Sequence, residues 1–176
     1  MLRALGLLDA VENHVLPVTM DDDNNEGDSV LNVKDWQDVD IVVTLDSGCC
    51  RHVLPAESAP GYPILDSPGS RRGANFIVGN GQRVPNEGQM CLNLEAHTGD
   101  STDQMVQSVF QVADLTRPLM SVSQVCESGH KCVFEKDHAL IISAQGETLV
   151  KFEMRSGLYV ATMRLKAPTP FGRPVQ

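Results

Sequence analysis

Ile41-Val42-Val43-Thr44-Leu45-Asp46-Ser47-Gly48 is the stretch that decides the fold. Its first five residues are β-branched or aliphatic, the composition of a buried strand. The run ends directly in a carboxylate, a hydroxyl and a glycine. A carboxylate at the end of a buried strand is costly unless something holds it. Ser47 and Gly48 supply a hydroxyl, a flexible turn and backbone N–H groups beside Asp46. Taken alone, Asp-Ser-Gly also fits an ordinary Asx turn after a strand.

Downstream of this stretch the period stays that of a strand. Met90, Leu92, Leu94 and Ala96 alternate with Cys91, Asn93 and Glu95, placing the apolar set on one face. Asn75 to Val78, Val106 to Val112, Lys131 to Glu135, Ala139 to Ile142, Leu149 to Met154 and Leu158 to Met163 are further short apolar runs. Many short strands separated by Gly and Asn turns predict an all-β domain. One helix is expected over residues 121–128, with Ser121 as its cap and Gly129 at the left-handed C-terminal position. Residues 60–73, rich in Pro, Gly and Ser, are expected to form a loop. Trp36, the only Trp, is expected to anchor a core or an interface.

Upstream the composition changes. Residues 1–40 hold ten acids against Arg3 and Lys34, whereas residues 41–176 hold 13 acids and 12 bases. Of the net charge of −9, −8 therefore lies in residues 1–40. Residues 19–29 (TMDDDNNEGDS) repel one another and cannot bury apolar surface, which predicts disorder. Met1 to Val18 carries Leu2, Leu5, Leu8, Val11 and Val15 at the spacing of a short helix. The basic residues Arg155, Arg164, Lys166 and Arg173 end the chain with no acid among them. The body lacks the strong basic patch of a dedicated nucleic-acid binder, so direct nucleic-acid binding is not expected. No apolar run approaches the ~20 residues needed to span a bilayer. No secretory signal is expected at Met1 to Ala10. The five Cys (49, 50, 91, 126 and 132) contain no CxxC pair. A cytoplasmic protein with reduced thiols is the expectation.

Three further segments follow Asp46-Ser47-Gly48 in order. Phe76 to Gly88 joins two strands through a Gly-rich hairpin. Then comes Leu119-Met120-Ser121-Val122-Ser123-Gln124-Val125, and then Gly129 with Val133-Phe134. With His52, this order resembles the aspartic protease region of copia-type retrotransposon Pol polyproteins. Ser156-Gly157-Leu158-Tyr159-Val160 is similar to the Gly-Leu-Tyr segment that begins the pre-integrase region. The resemblance covers roughly residues 36–163. Cys49 stands where the family usually has Ala, and Cys50 where it often has Thr. The usual Asn is missing before the apolar pair after Pro118.

The resemblance implies a retropepsin-like closed barrel or sandwich with one short helix, plus a β-rich C-terminal extension. The expected organisation is a leader at 1–35, a protease domain at 36–135, the extension at 136–163 and a tail at 164–176. It also implies an aspartic endopeptidase acting on a peptide or polyprotein substrate. Such chemistry needs two carboxylates, one ionised to activate water and one protonated to donate to the carbonyl oxygen. Only one Asp-Ser-Gly is present, since Pro68 spoils Asp66-Ser67-Pro68. The second carboxylate is then Asp46 of another copy, in a homodimer. Asp46, Ser47 and Gly48 are the expected catalytic turn, and the hairpin is the expected flap. Its tip is either Gly79-Asn80-Gly81 or Asn86-Glu87-Gly88, which leaves Gly79, Asn80, Gly81, Asn86 and Gly88 as flap candidates. No metal or cofactor is required. The alternative is a catalytically inactive dimeric remnant or a polyprotein interaction module.

Two other constellations carry chemistry on paper. Cys49, Cys50 and His52 imitate a thiol nucleophile and base, but such pairs meet through the fold and not through adjacency. Cys126, His130 and Cys132 hold potential zinc ligands at a spacing that matches no common zinc element. His52 is expected to be a structural hydrogen-bonding residue.

Overall fold

Strand β2 (Val39–Asp46) is the centre of the architecture. The computed structural model describes residues 36–100 and 103–168, together with strand β1 (Arg3–Ala4). Along β2, Ile41, Val43 and Leu45 are buried while Asp40 and Val42 are exposed. The alternation follows from the period of two, which sends successive side chains to opposite faces. Each fully buried aliphatic side chain contributes about 1.5–3 kcal/mol.

The remaining strands are β3 (Val53–Leu54), β4 (Asn75–Ile77), β5 (Arg83–Pro85), β6 (Gly88–His97), β7 (Asp103–Val112) and β8 (Leu119–Ser121). They are followed by β9 (Lys131–Phe134), β10 (His138–Ile142), β11 (Thr148–Arg155) and β12 (Leu158–Leu165). The all-β class expected from the sequence holds. Two short helices are present where one was expected: α1 (Pro68–Arg71) and α2 (Val122–Glu127). Helix α1 falls within the segment expected to be a loop. Ser67 and Ser70 form a reciprocal capping box there, and Pro68 sits in the first turn, where its missing N–H costs nothing.

The pairings close into a ring. β2 pairs with β8 in parallel, β8 with β3, β3 with β7, β7 with β6, β6 with β12, and β12 with β2. β11, β10 and β9 continue the sheet outward from the first half of β12. Closure gives each ring strand a partner on both sides over at least part of its length, which shortens its exposed edge. The interior is filled from all sides, with Leu92, Leu94, Val106, Phe110, Met120 and Met163 almost wholly buried. β4 and β5 form a separate two-stranded hairpin.

The division expected at residue 135 does not coincide with a break in the sheet. β12 lies between β2 and β6, so the segment expected as an extension supplies a wall of the ring. The tail also begins later than residue 164, since β12 runs to Leu165. Lys166 pairs with Asp38 at 2.8 Å and Glu95 at 3.1 Å, and Arg164 pairs with Asp40 at 3.4 Å. Asp38 and Asp40, which belong to the acidic first 40 residues, are thus paired with bases assigned to the tail. Trp36 packs edge-on against Tyr62, with ring centroids 5.7 Å apart. The helix expected within 1–18 and the disorder expected at 19–29 lie outside the described residues, apart from Arg3–Ala4. No helix among the described residues is long and apolar enough to cross a membrane.

Candidate functional site

Asp46 is the last residue of β2 and is partly exposed, while Ser47 and Gly48 are exposed. The Gly48 N–H donates to Asp46 Oδ1 at 2.7 Å. A charged acceptor makes this bond stronger than a neutral one. A Cβ placed on Gly48 would lie 3.3 Å from Asp46 Oδ1. Glycine is therefore the residue that lets the backbone come this close to the carboxylate.

The turn is clamped from behind by the β8–α2 junction. Asp46 pairs with Ser121 in the parallel β2–β8 ladder, and the Thr44 N–H donates to the Pro118 carbonyl at 3.0 Å. Ser121, fully buried, caps α2 by accepting from the Gln124 N–H, and its hydroxyl donates to the Cys49 carbonyl at 2.6 Å. His52 is also fully buried, its ring 5.3 Å from that of Phe110. Its backbone N–H donates to Gln124 Oε1 at 2.8 Å. The Asp-Ser-Gly segment and the Ser-Val-Ser-Gln segment, distant in sequence, form one hydrogen-bonded unit.

Cys49 is half-buried and its thiol donates to the Arg51 carbonyl at 2.8 Å. Burial pushes its pKa up, and the nearby Asp46 charge adds to that effect. This is the opposite of an activated thiolate. Cys50 is exposed. Among the described residues no group of three or more His, Cys, Asp or Glu side chains is arranged to hold a metal ion.

The β4–β5 hairpin turns at Gly79-Asn80-Gly81. The Val78 N–H donates to the Gln82 carbonyl at 3.0 Å, and the Gln82 N–H donates to Asn80 Oδ1 at 2.9 Å. Asn86 and Gly88 lie at the hairpin's root, where Asn86 accepts from the Gly88 N–H and donates to Gln111 Oε1. Of the two tips left open by the sequence, the structure has the first. The hairpin's Phe76, Val78 and Val84 pack in a small cluster with Val53, Leu119 and Cys49. The hairpin is thereby seated beside the Asp46 turn.

An open groove of about 620 Å³ starts at Asp46. Thr44, Leu45, Asp46 and Ser47 line it, with Arg117 and Leu119 from the β8 side and Phe134, Leu158 and Tyr159 from the β9–β12 side. Sequence reasoning missed Arg117, Phe134, Leu158 and Tyr159 as site residues. No local pattern marks them, because Arg117 reaches Asp46 through the pairing of β2 with β8, Leu158 and Tyr159 through that of β2 with β12, and Phe134 through the β9–β12 strands and its ring contact with Tyr159. No family model matches the chain, and neither does any curated protein or solved structure.

Proposed function

We propose that this chain is a retropepsin-like aspartic endopeptidase that cleaves a retrotransposon-type polyprotein as a homodimer. The observation that carries the reading is the Asp46 carboxylate, fixed by the Gly48 N–H at the mouth of a groove. A carboxylate held in one orientation and open to solvent on one side suits a general base acting on water. Each chain supplies one such group, so the second carboxylate comes from a second copy. Two carboxylates in contact do not both ionise, which leaves one to accept a proton from water and one to donate to the peptide carbonyl. The exposed Gly79-Asn80-Gly81 tip, on a hairpin seated beside the turn, suits a flap that covers the peptide.

The test is Asp46→Asn together with dilution. The amide cannot take the water proton, so the variant is expected to fold and to lose cleavage of a polyprotein fragment. For the wild-type chain, the rate per chain is expected to fall below the dimer dissociation constant. Equal cleavage by wild type and variant, or a constant rate through a demonstrated dimer-to-monomer transition, removes the shared-carboxylate mechanism.

A further inference from the structure

We propose that the groove beside Asp46 selects peptides carrying a large apolar side chain next to a carboxylate, and that Arg117 reads the carboxylate. The inference rests on the peptidase reading for its catalytic meaning and on the groove's own chemistry for its selectivity. Phe134 and Leu158 expose 44% and 39% of their surface beside the Asp46 turn. Apolar surface contiguous with a reactive polar group marks a binding site more often than a chance exposure. The wall is also preset. The Phe134 and Tyr159 rings meet edge-on at 5.1 Å, and the Tyr159 hydroxyl donates to the Glu135 carbonyl at 2.7 Å. A preset wall loses little side-chain freedom when a ligand arrives.

Charge supplies the second half of the selection. Arg51, Arg155 and Arg164 each hold a carboxylate of this chain. Arg117, exposed in the groove, makes no ion pair among the described residues. Its backbone position is fixed, because the next carbonyl, that of Pro118, accepts from the Thr44 N–H. A guanidinium at the rim of an apolar groove favours a ligand carboxylate and repels a ligand cation. A second copy of this chain seated in the groove would leave this charge unmatched unless an acid of that copy reached it. A peptide lying against Asp46 brings its own side chains to both features.

The experiment uses the full chain carrying Asp46→Asn, so that bound peptide stays intact. Fluorescein-labelled octapeptides with one Phe flanked by Glu, by Lys or by Ser are titrated and read by anisotropy. The Glu peptide is expected to bind about fivefold tighter than the Lys peptide, the scale of one partly exposed ion pair. Adding Arg117→Glu is expected to reverse that order, and replacing the peptide's Phe by Ser to weaken binding at least tenfold by removing a buried ring. Equal affinity for Glu and Lys peptides, an order unchanged by Arg117→Glu, or no binding of any peptide overturns the proposal. Leu158→Ser that leaves peptide affinity intact but converts a dimer to a monomer in sedimentation also overturns it, and assigns the groove to a second copy. Wild-type cleavage of the same peptides is followed in parallel. Charge-selective binding with no cleavage sinks the peptidase reading alone. Cleavage that depends on Asp46 but is indifferent to peptide charge sinks the role of Arg117 alone.

Discussion

The Ser121 backbone N–H donates to Nδ1 of the His52 imidazole at 2.9 Å, across 69 residues of sequence. The bond joins the segment after the Asp46 turn to the start of α2, and both residues are fully buried. Nδ1 is therefore the acceptor nitrogen of the ring, which identifies His52 as the part that holds the turn against β8.

Replacing His52 by Ala removes the acceptor of a buried N–H and leaves a cavity beside Phe110. The expected loss is about 3 kcal/mol of stability, from the lost ring packing and the unsatisfied donor. Urea denaturation measures it. A change under about 0.5 kcal/mol, the scale of a neutral surface substitution, would show that the clamp contributes nothing.

Gly48→Ala tests the close approach at the turn. The added methyl meets Asp46 Oδ1 at 3.3 Å, so the carboxylate must shift by a few tenths of an ångström. Cleavage is expected to fall roughly tenfold, because small misplacements of a reacting group are costly. The thermal midpoint should stay close to wild type, since the position is exposed. Undiminished cleavage would mean that the Gly48–Asp46 geometry does not matter to the chemistry.

Tyr62 gives a pH signature. Its hydroxyl donates to the Lys166 carbonyl at 2.5 Å and accepts from the Asn93 N–H at 3.1 Å. Burial pushes its pKa up from 10.0 to about 12, against a smaller lowering by the hydrogen bond from Asn93. The unfolded chain releases this proton near pH ~10 while the folded chain keeps it. The stability that the neutral phenol provides is thus complete below pH 10 and is lost as pH rises toward about 12. Tyr62→Phe should flatten that decline and cost about 1–3 kcal/mol at neutral pH through the two lost hydrogen bonds. A variant whose denaturation profile keeps the wild-type slope between these pH values would contradict the assignment.

The cysteines should separate by reactivity. Cys50 and Cys126 are exposed, whereas burial raises the pKa of Cys49 and pushes that of Cys132 to about 12. Brief iodoacetamide treatment at neutral pH, followed by peptide mass mapping, is expected to label Cys50 and Cys126 first. Cys49→Ala is expected to retain cleavage. An inactive but folded Cys49→Ala, alongside an active Asp46→Asn, would transfer the chemistry to the thiol.

The sequence alone determined what depends on near neighbours. The run Ile41 to Leu45 ending in Asp-Ser-Gly specified a strand that stops at a carboxylate. Met90, Leu92, Leu94 and Ala96 specified an alternating strand, and the structure buries all four. Ser121 announced the start of α2, which follows it directly. Period and capping are fixed within a few residues, so they survive in a linear reading. Tertiary structure decided which strands meet. The parallel pairing of Thr44 with Leu119 and the insertion of β12 between β2 and β6 are outcomes of competition among many apolar strands of similar pattern. These pairings bring Arg117 and Leu158 to Asp46, with Phe134 following through β9–β11 and its contact with Tyr159, and they join Arg164 and Lys166 to Asp40 and Asp38. These contacts are long-range, and no local period or composition encodes the partner a strand finds when the core closes.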